Sequence, residues 1–377
     1  MLALTQFTGF GARRRGPGIV RGTGVAGITL GLAGAGLRHT TGAGVAGITL
    51  GVAGAGTVQS PVRGAGVATI TLGLSGAGVR HTTGAGTAAI VLVAAAAGTF
   101  GMPWVAQDSV RDWEAIASSD DGVNLVAVEY GGYIYTSTDS GVTWTSTGSS
   151  GTWHGVASSS DGVNLVAVQY GGYIYTSTDS GVNWTQRDSS RYWWKVASSA
   201  DGVNLVATTV SGYIYTSTDS GVSWTQRESS RNWQGVASSS DGVNLVAVAT
   251  PGYIYTSTDS GVNWTQRESS RNWTDVASSS DGVNLVAVAS SGYIYTSTDS
   301  GVNWTQRDSS RGWRCVSSSA DGARLFAGVN GGYAYFSTDS GATWTQSGAS
   351  LYWHGFAESS DGLKVAAATL GNYIYTA

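Results

Sequence analysis

The stretch that decides the fold runs from Gly292 to Arg307 and reads GYIYTSTDSGVNWTQR. β-Branched and aromatic residues fill both of its arms, and the Asp-Ser-Gly segment between them is typical of a turn. The stretch therefore predicts a β-hairpin. Within the turn, oxygens of Ser297 and Asp299 can accept hydrogen bonds from backbone amides, and Gly301 can supply a positive φ angle.

The turn of this hairpin occurs six times, with the pattern S-x-D-x-G-x-x-W. A catalytic site needs unlike residues that converge once, whereas this pattern returns at the same place in every repeat. We therefore predict a structural role for its aspartates. These are Asp139, Asp179, Asp219, Asp259, Asp299 and Asp339.

A second periodic signal surrounds the hairpins. Seven tryptophans are spaced by a constant 40 residues, and each opens a unit that parses as four short strands separated by turn residues. Four strands per unit of about 40 residues, repeated along the chain, are typical of the blades of a β-propeller. The tryptophans are Trp113, Trp153, Trp193, Trp233, Trp273, Trp313 and Trp353.

The last unit lacks a fourth strand, because the chain stops at NYIYTA, residues 372–377. The missing strand is predicted at the front, where WVAQDSVRDW from Trp104 aligns with WTQRDSSRYW from Trp184. Residues 102–377 are thus expected to form a seven-bladed all-β propeller, with the segment that begins at Trp104 as the outer strand of the seventh blade. Such closure leaves no interior edge strand unpaired.

Residues 22–101 carry a different repeat, which we call the arm. Its four copies begin at Gly22, Gly42, Gly64 and Gly84, and large aliphatic residues alternate with small ones within them. This period of two predicts β-strands. Strands with so little apolar bulk need a neighbour to bury them, so we expect the arm to anchor the protein in an assembly. The expected partners are its own copies, with a trimer as one arrangement, or other proteins of that assembly; a flexible Gly-rich tether is the alternative.

The charge of the chain is divided unevenly. Residues 1–107 contain seven arginines and no Asp, Glu or Lys, and residues 1–21 form a basic segment, whereas the remainder carries 24 acidic and 13 basic residues. A basic arm on an acidic body predicts an acidic partner for the arm or contact between the two parts, unless the arginines only keep the arm soluble. The longest apolar run, residues 88–97, is too short to span a bilayer as a helix.

The S-x-D-x-G-x-x-W pattern resembles the Asp-box, or BNR, repeat. The order DG…GYIYTSTDSGVNWTQ is similar to the photosystem II stability/assembly factor-like repeat family, over about three quarters of the chain. The resemblance implies a propeller and leaves function open, because such repeats occur in secreted binding proteins, sialidases and viral structural proteins. A small-residue β arm ahead of a globular head is similar in organisation to bacteriophage virion proteins.

The predicted blades differ from one another mainly on one face. Variation gathers after the first tryptophan, in the loop between the second and third strands, and in the linkers between blades, all near the expected channel mouth. Loops on a fixed scaffold often carry recognition, so we predict a ligand-binding face there, with drift in exposed loops as the alternative. Its candidate contacts are Tyr130, Tyr170, Trp194, Arg111, Arg191, Arg231, Arg271 and Arg311. Under the alternative, each arginine pairs with the acid three residues earlier.

Catalytic chemistry finds little support in the sequence. Sialidases resemble this fold but need an arginine trio, and the arginine motif of that family is absent here. Glycosidases need two carboxylates, and the unrepeated acids Glu114, Glu129, Asp275 and Glu358 show no pairing pattern. His154 and His354 occupy equivalent repeat positions, but the histidines lack the spacing of metal ligands, so we expect no metal and no cofactor.

We therefore expect a non-enzymatic virion structural protein, of the phage decoration or tail-fibre kind, located at the virion surface. Its arm would join other virion proteins or its own copies, and its propeller would be displayed to bind a surface such as a host glycan. Nucleic acid and a membrane span are not expected. A secreted or cell-surface glycan-binding propeller is the alternative, followed by a glycoside hydrolase of sialidase type.

Overall fold

The computed structural model describes residues 104–377 with their side chains and, before them, the backbone of nine strands. All regular structure in these residues is β-structure, and none of them forms a helix that could cross a membrane. The chain divides into two compact units, Met1–Phe100 and Gly101–Ala377.

The first unit contains short strands in two sheets, with the orders β1-β4-β6-β8-β9 and β2-β3-β5-β7. The strands are β1 Phe7–Thr8, β2 Arg13–Arg14, β3 Val20–Thr23, β4 Ala26–Ala33, β5 Thr40–Ala43, β6 Ala46–Ala53, β7 Val62–Arg63, β8 Ala68–Ser75 and β9 Ala89–Ala94.

The four arm repeats pair with one another in parallel and in register. Ile28 lies opposite Ile48, Ile48 opposite Ile70, and Ile70 opposite Ile90. A repeat of about 20 residues thus returns the chain to the same place one strand further along, as in repeat proteins whose units contact only their neighbours. The strands predicted for the arm are present, and they pair within one chain.

The second unit holds β10–β31, in which every pairing is antiparallel. The first half comprises β10 Val105–Arg111, β11 Trp113–Ser118, β12 Leu125–Glu129, β13 Ile134–Ser137, β14 Thr145–Thr147, β15 Trp153–Ser158, β16 Leu165–Ser177, β17 Thr185–Ser198, β18 Leu205–Thr209, β19 Gly212–Ser217 and β20 Thr225–Arg231. The second half comprises β21 Trp233–Ser238, β22 Leu245–Ala249, β23 Gly252–Ser257, β24 Thr265–Arg271, β25 Trp273–Ser278, β26 Leu285–Ser297, β27 Thr305–Ser318, β28 Leu325–Ser337, β29 Thr345–Glu358, β30 Val365–Thr369 and β31 Asn372–Thr376.

These strands repeat a four-stranded meander, for which β21-β22-β23-β24 is the simplest example. In several repeats a long strand such as β27 continues from the last strand of one meander into the first strand of the next. Neighbouring sheets pack face to face. Trp233, which opens β21, is fully buried against Val206 and Ile214 of the preceding meander. The core therefore lies between successive sheets.

The two ends of this unit meet in one sheet. β10 pairs antiparallel with β31, so that Val105 lies opposite Thr376 and Gln107 opposite Ile374. The ring of Trp104 lies 5.4 Å from that of Trp353, between ring centroids.

A repeated turn joins the third and fourth strands of the meanders. The hydroxyl of Ser297 accepts a hydrogen bond of 3.0 Å from the amide of Gly301, and Asp299 Oδ1 accepts one of 2.8 Å from the amide of Asn303. Gly301 has a φ angle of +80°, and Ser300, just before it, also has a positive φ of 56°. Side-chain acceptors thus replace the backbone partners that the sharp turn removes.

Candidate functional site

A β-bulge follows the tryptophan that opens each meander. In β11, Trp113 lies opposite Glu129 and Ala115 opposite Val128, so Glu114 is an extra residue without a partner in the ladder. Bulges re-aim side chains and are frequent next to functional sites. The residues that follow the seven tryptophans are Glu114, His154, Trp194, Gln234, Thr274, Arg314 and His354.

Several of these side chains meet in a cluster centred on Glu114. Its Oε2 lies 2.8 Å from His354 Nδ1, and its Oε1 lies 3.2 Å from His154 Nδ1 and 3.6 Å from an Arg314 guanidinium nitrogen. Glu114 is only 4% exposed. Burial raises the pKa of its carboxyl, but the contacts with His154 and His354 and the charge of Lys195 outweigh burial and hold that pKa well below its usual range. Glu114 is therefore a carboxylate fully engaged with cationic or polar partners.

A second acid lies near the same cations. Asp275 Oδ2 accepts a hydrogen bond of 3.1 Å from the amide of Val316. Burial raises the pKa of the Asp275 carboxyl, and the charges of Lys195 and Arg314 oppose that rise. Next to Val316, the buried thiol of Cys315 has a raised pKa because burial and the Asp275 charge both disfavour a thiolate. This thiol is not set up as a nucleophile.

Five aromatic rings, which we call the aromatic patch, lie beside the Glu114 cluster. The imidazole of His154 stacks on Trp194, with 4.3 Å between centroids and 25° between planes. Tyr130 and Tyr170 contact His154 at 5.3 Å and 5.4 Å, and Tyr192 lies 4.9 Å from Tyr170. Tyr130, Tyr170 and Tyr192 are 45%, 36% and 57% exposed, so the patch is open to solvent.

The patch is confined to the first three meanders, although the scaffold around it is repeated. At the repeat position of Tyr130 and Tyr170, the other five meanders carry no aromatic residue; they have Val210, Thr250, Ser290, Asn330 and Leu370. Identical scaffold positions thus differ in the side chains that they present. Exposed aromatic clusters of this kind are uncommon on surfaces without a partner.

The structure brings together the three aromatic residues that the sequence singled out, Tyr130, Tyr170 and Trp194. The five linker arginines each have partners within the protein. Each pairs with the acid three residues before it, as Arg271 does with Glu268 at 3.2 Å, and each guanidinium lies over a tyrosine ring of the following meander, 4.6 Å from the centroid of Tyr295 in this case. The other four pairs are Arg111 with Asp108, Arg191 with Asp188, Arg231 with Glu228 and Arg311 with Asp308.

Sequence reasoning did not select Glu114, His154 and Tyr192 for the site. Glu114 and His154 hold the same repeat position in consecutive meanders, and His354 holds it in the last one. The last meander packs against the first, and this packing brings Glu114, His154 and His354 together. That shared position was the available signal.

The remaining unrepeated acids are also engaged. Glu129 accepts a hydrogen bond of 3.1 Å from the Tyr135 hydroxyl and lies 3.7 Å from Arg111. Glu358 accepts one of 2.5 Å from the hydroxyl of Ser317, and burial raises its pKa to about 8. Within residues 104–377, no group of His, Cys, Asp and Glu side chains is arranged to hold a metal ion.

Repeated antiparallel meanders that pack face to face, with the chain ends in one sheet, define the class of this protein as a β-propeller. Solved propellers are similar to it over most of their length. YCF48 from Cyanidioschyzon merolae has a TM-score of 0.58 and 19% identity, over 72% of this chain and 98% of that one. A structure of YCF48 bound to D1 peptide has a TM-score of 0.59 and 17% identity, over 73% and 96%.

An enzyme is also among the similar structures. The GH74 xyloglucanase from Xanthomonas campestris has a TM-score of 0.59 and 14% identity, over 72% of this chain and 53% of that one. Likeness at such low identity establishes the fold, so the prediction of an all-β propeller is confirmed. No protein-family model matches the chain, and no curated protein is similar to it in sequence.

Proposed function

We propose that this protein is a non-enzymatic structural and binding protein of a virion, anchored by its arm and displaying its propeller as a binding surface. The observation that carries the binding role is the aromatic patch. Exposed Tyr130 and Tyr170 both contact His154, and exposed Tyr192 contacts Tyr170. At the repeat position of Tyr130 and Tyr170, the other five meanders carry no aromatic residue. On a repeated scaffold, a feature found in one sector serves something other than folding.

We propose that the propeller has seven blades and closes through β10. The seven four-stranded sets that include β10 next to β31 support this count. Packing of Trp113 from the first meander with Ala366 and Ile374 from the last supports closure. A closed ring gives the binding face a rigid support.

The assembly role rests on the arm. The two sheets of the first unit, to which the arm contributes most strands, end in β1 and β9 of one sheet and in β2 and β7 of the other. The end strand of a sheet presents backbone groups that can pair with another chain. We therefore assign the arm to contacts with its own copies or with other virion proteins, and place the protein at the virion surface.

The proposal of a non-enzymatic role is supported by the state of the acids. Glycoside hydrolysis needs two carboxyl groups that face the scissile bond. Glu114 is held by two histidines and an arginine, Glu129 by Tyr135 and Arg111, and the pKa of Glu358 is raised by burial. These acids thus already have partners, or are buried, within the protein.

Two measurements on the full-length protein test this function. Native mass spectrometry with electron microscopy of native particles should find it in an assembly with its own copies or virion proteins. A stable monomer that joins no particle would overturn the assembly role. Hydrolysis of xyloglucan or of a fluorogenic sialoside, abolished in a Glu114→Gln variant, would overturn the non-enzymatic role.

A further inference from the structure

We propose that the aromatic patch binds neutral hexopyranose units of a polysaccharide, with Tyr130, Tyr170 and Tyr192 as the stacking platform. This inference rests on the proposed binding role of the face and names the class of ligand. It also adds Tyr192, which sequence reasoning did not select, as a specificity-determining residue.

The ring geometry fits a sugar. The tyrosines are between one third and three fifths exposed, and each is fixed by a ring contact, Tyr130 on His154 and Tyr192 on Tyr170. A pyranose presents a face of C–H groups that packs on an aromatic ring, and its hydroxyls at the ring edge need polar partners. Tyrosine supplies both, with an apolar ring and a hydroxyl that donates and accepts. Fixed rings also lose little conformational freedom on binding.

The charges next to the patch favour a neutral ligand. Glu114, beneath His154, is balanced by His354 and Arg314 as well. The ammonium of Lys195, the residue after Trp194, acts on the two acids Glu114 and Asp275. Each of these cations thus acts on an acid of the protein itself, which weakens its attraction for an acidic sugar.

Arg191, the arginine next to the patch, is also bound to groups of the protein. Arg191, just before Tyr192, lies 3.4 Å from Asp188 and 4.5 Å from the centroid of Tyr215. Asp112, whose carbonyl oxygen accepts a hydrogen bond of 2.8 Å from the amide of Tyr130, is exposed at the edge of the patch. Its carboxylate can accept hydrogen bonds from sugar hydroxyls and repels an anionic sugar.

The test uses the full-length protein and calorimetric titration with defined probes. These are the neutral oligosaccharides maltohexaose, cellohexaose and mannohexaose, a sialylated oligosaccharide, and a lysine-rich peptide. We expect at least one neutral oligosaccharide to bind, and the other two probes not to bind. Tyr192→Ala and Tyr170→Ala should each weaken binding about tenfold, because aromatic contacts at the centre of an interface carry much of its energy.

One control variant changes a tyrosine outside the patch, and a second keeps the aromatic ring of Tyr192 but removes its hydroxyl. Tyr352 has the same repeat position as Tyr192 and is 55% exposed, but it lies outside the patch, so Tyr352→Ala should leave affinity unchanged. Tyr192→Phe keeps the ring and should retain most of the affinity. Since Tyr192 is exposed, its replacement should not alter the melting temperature.

The outcomes separate the inference from the function on which it rests. Preference for the sialylated sugar or the basic peptide, or equal losses from Tyr192→Ala and Tyr352→Ala, would overturn the neutral-sugar assignment and leave a binding face intact. Absence of binding to all five probes overturns it as well. If the Tyr130, Tyr170 and Trp194 triple alanine variant then retains every association of the native protein, the proposed binding face is wrong too.

Discussion

The backbone amide of Ser360 donates a hydrogen bond of 2.7 Å to the carbonyl oxygen of Asp120, 240 residues earlier in the chain. Six equivalent bonds join successive meanders, from Asp120 to Ser160 and onward to the one from Ala320 to Ser360. Each repeat therefore donates to the next and accepts from the one before. The bond from Ser360 returns this series to its first member. It lies on the side of the strands that carries the short turns, away from the aromatic patch.

The pairing of β10 with the last sheet gives the first prediction. Trp104 packs on Trp353, Phe356 and Phe326 where β10 joins the last sheet. Replacing Trp104 with alanine should lower the free energy of unfolding by about 2–4 kcal/mol, because it empties part of this cluster. Val105→Ala changes the exposed residue that follows Trp104 and should cost less than about 0.5 kcal/mol. Urea unfolding compares the two, and equal effects would argue against the closure through β10.

The repeated turn gives the second prediction. An alanine at Gly301 would keep a φ angle of +80° and place its Cβ 2.7 Å from Cγ2 of Thr256 in the neighbouring meander. We expect Gly301→Ala to cost about 1–3 kcal/mol through strain and crowding. Gly312 has open space around a Cβ and no positive φ, so Gly312→Ala is the matched control and should be nearly neutral. The melting temperatures of Gly301→Ala and Gly312→Ala measure the effect. Equal melting temperatures would show that the fold does not need glycine in this turn.

The third prediction concerns pH and Glu358, whose pKa burial raises from 4.5 to about 8 in the folded protein. Below pH 4.5 the carboxyl is protonated in both states. Between pH 4.5 and 8 only the folded state keeps the proton, so Glu358 destabilises the fold increasingly as pH rises. Glu358→Gln should therefore gain stability over the native protein between pH 4 and pH 9, by up to about 5 kcal/mol.

Glu358 also has a control within the repeat. The other six meanders carry serine at this position, Ser318 for example, so Glu358→Ser restores the repeated residue. It should remove the same pH dependence, although it leaves a gap beside Ser317. Denaturant unfolding at pH 4, 7 and 9 measures the slopes. Parallel stability curves for the native protein and both variants would contradict the prediction.

The fourth prediction concerns Glu114, whose pKa is held well below its usual range. Its effect on stability therefore changes with pH in the opposite direction to that of Glu358. The contribution of Glu114 to stability is present above the ordinary pKa near 4.5 and is lost as pH falls toward the lower folded value. At pH 7, Glu114→Gln should cost about 3–5 kcal/mol, because Arg314 loses a buried counter-charge. The cost should shrink below pH 4.5. Glu129→Gln, in a more exposed pair, should cost less than about 1 kcal/mol, and a greater loss there would contradict the assignment.

The fifth prediction separates scaffold from ligand contacts. Arg271 pairs with Glu268 and lies over Tyr295, so Arg271→Ala should cost about 1 kcal/mol of stability and leave oligosaccharide affinity unchanged. Arg271→Lys keeps the charge but loses the planar stack, so its stability should lie between that of the native protein and that of Arg271→Ala. Calorimetric titration and thermal unfolding measure the effects. If Arg271→Ala lowers oligosaccharide affinity without changing the melting temperature, the linker arginines contact the ligand after all.

The sequence by itself determined the parts of this protein that depend on neighbours along the chain. Strand pattern, turn chemistry and the period of 40 residues follow from local rules, since the hydroxyl of Ser297 bonds the amide of Gly301 only four residues away. The period of about 20 residues in the arm likewise predicted strands. It did not reveal that they pair in parallel within one chain, because pairing direction depends on how the chain returns between strands.

Only the tertiary structure decided which unlike residues meet. Glu114 and His354 are separated by 240 positions, and they touch because the last meander lies beside the first. Tyr192 joins Tyr170 because adjacent meanders bring the start of one first strand next to the loop of another. Repetition in the sequence specifies each unit and its nearest neighbour. The contents of the Glu114 cluster depend on the last meander lying beside the first, and the pattern of a single repeat does not encode which side chains meet there.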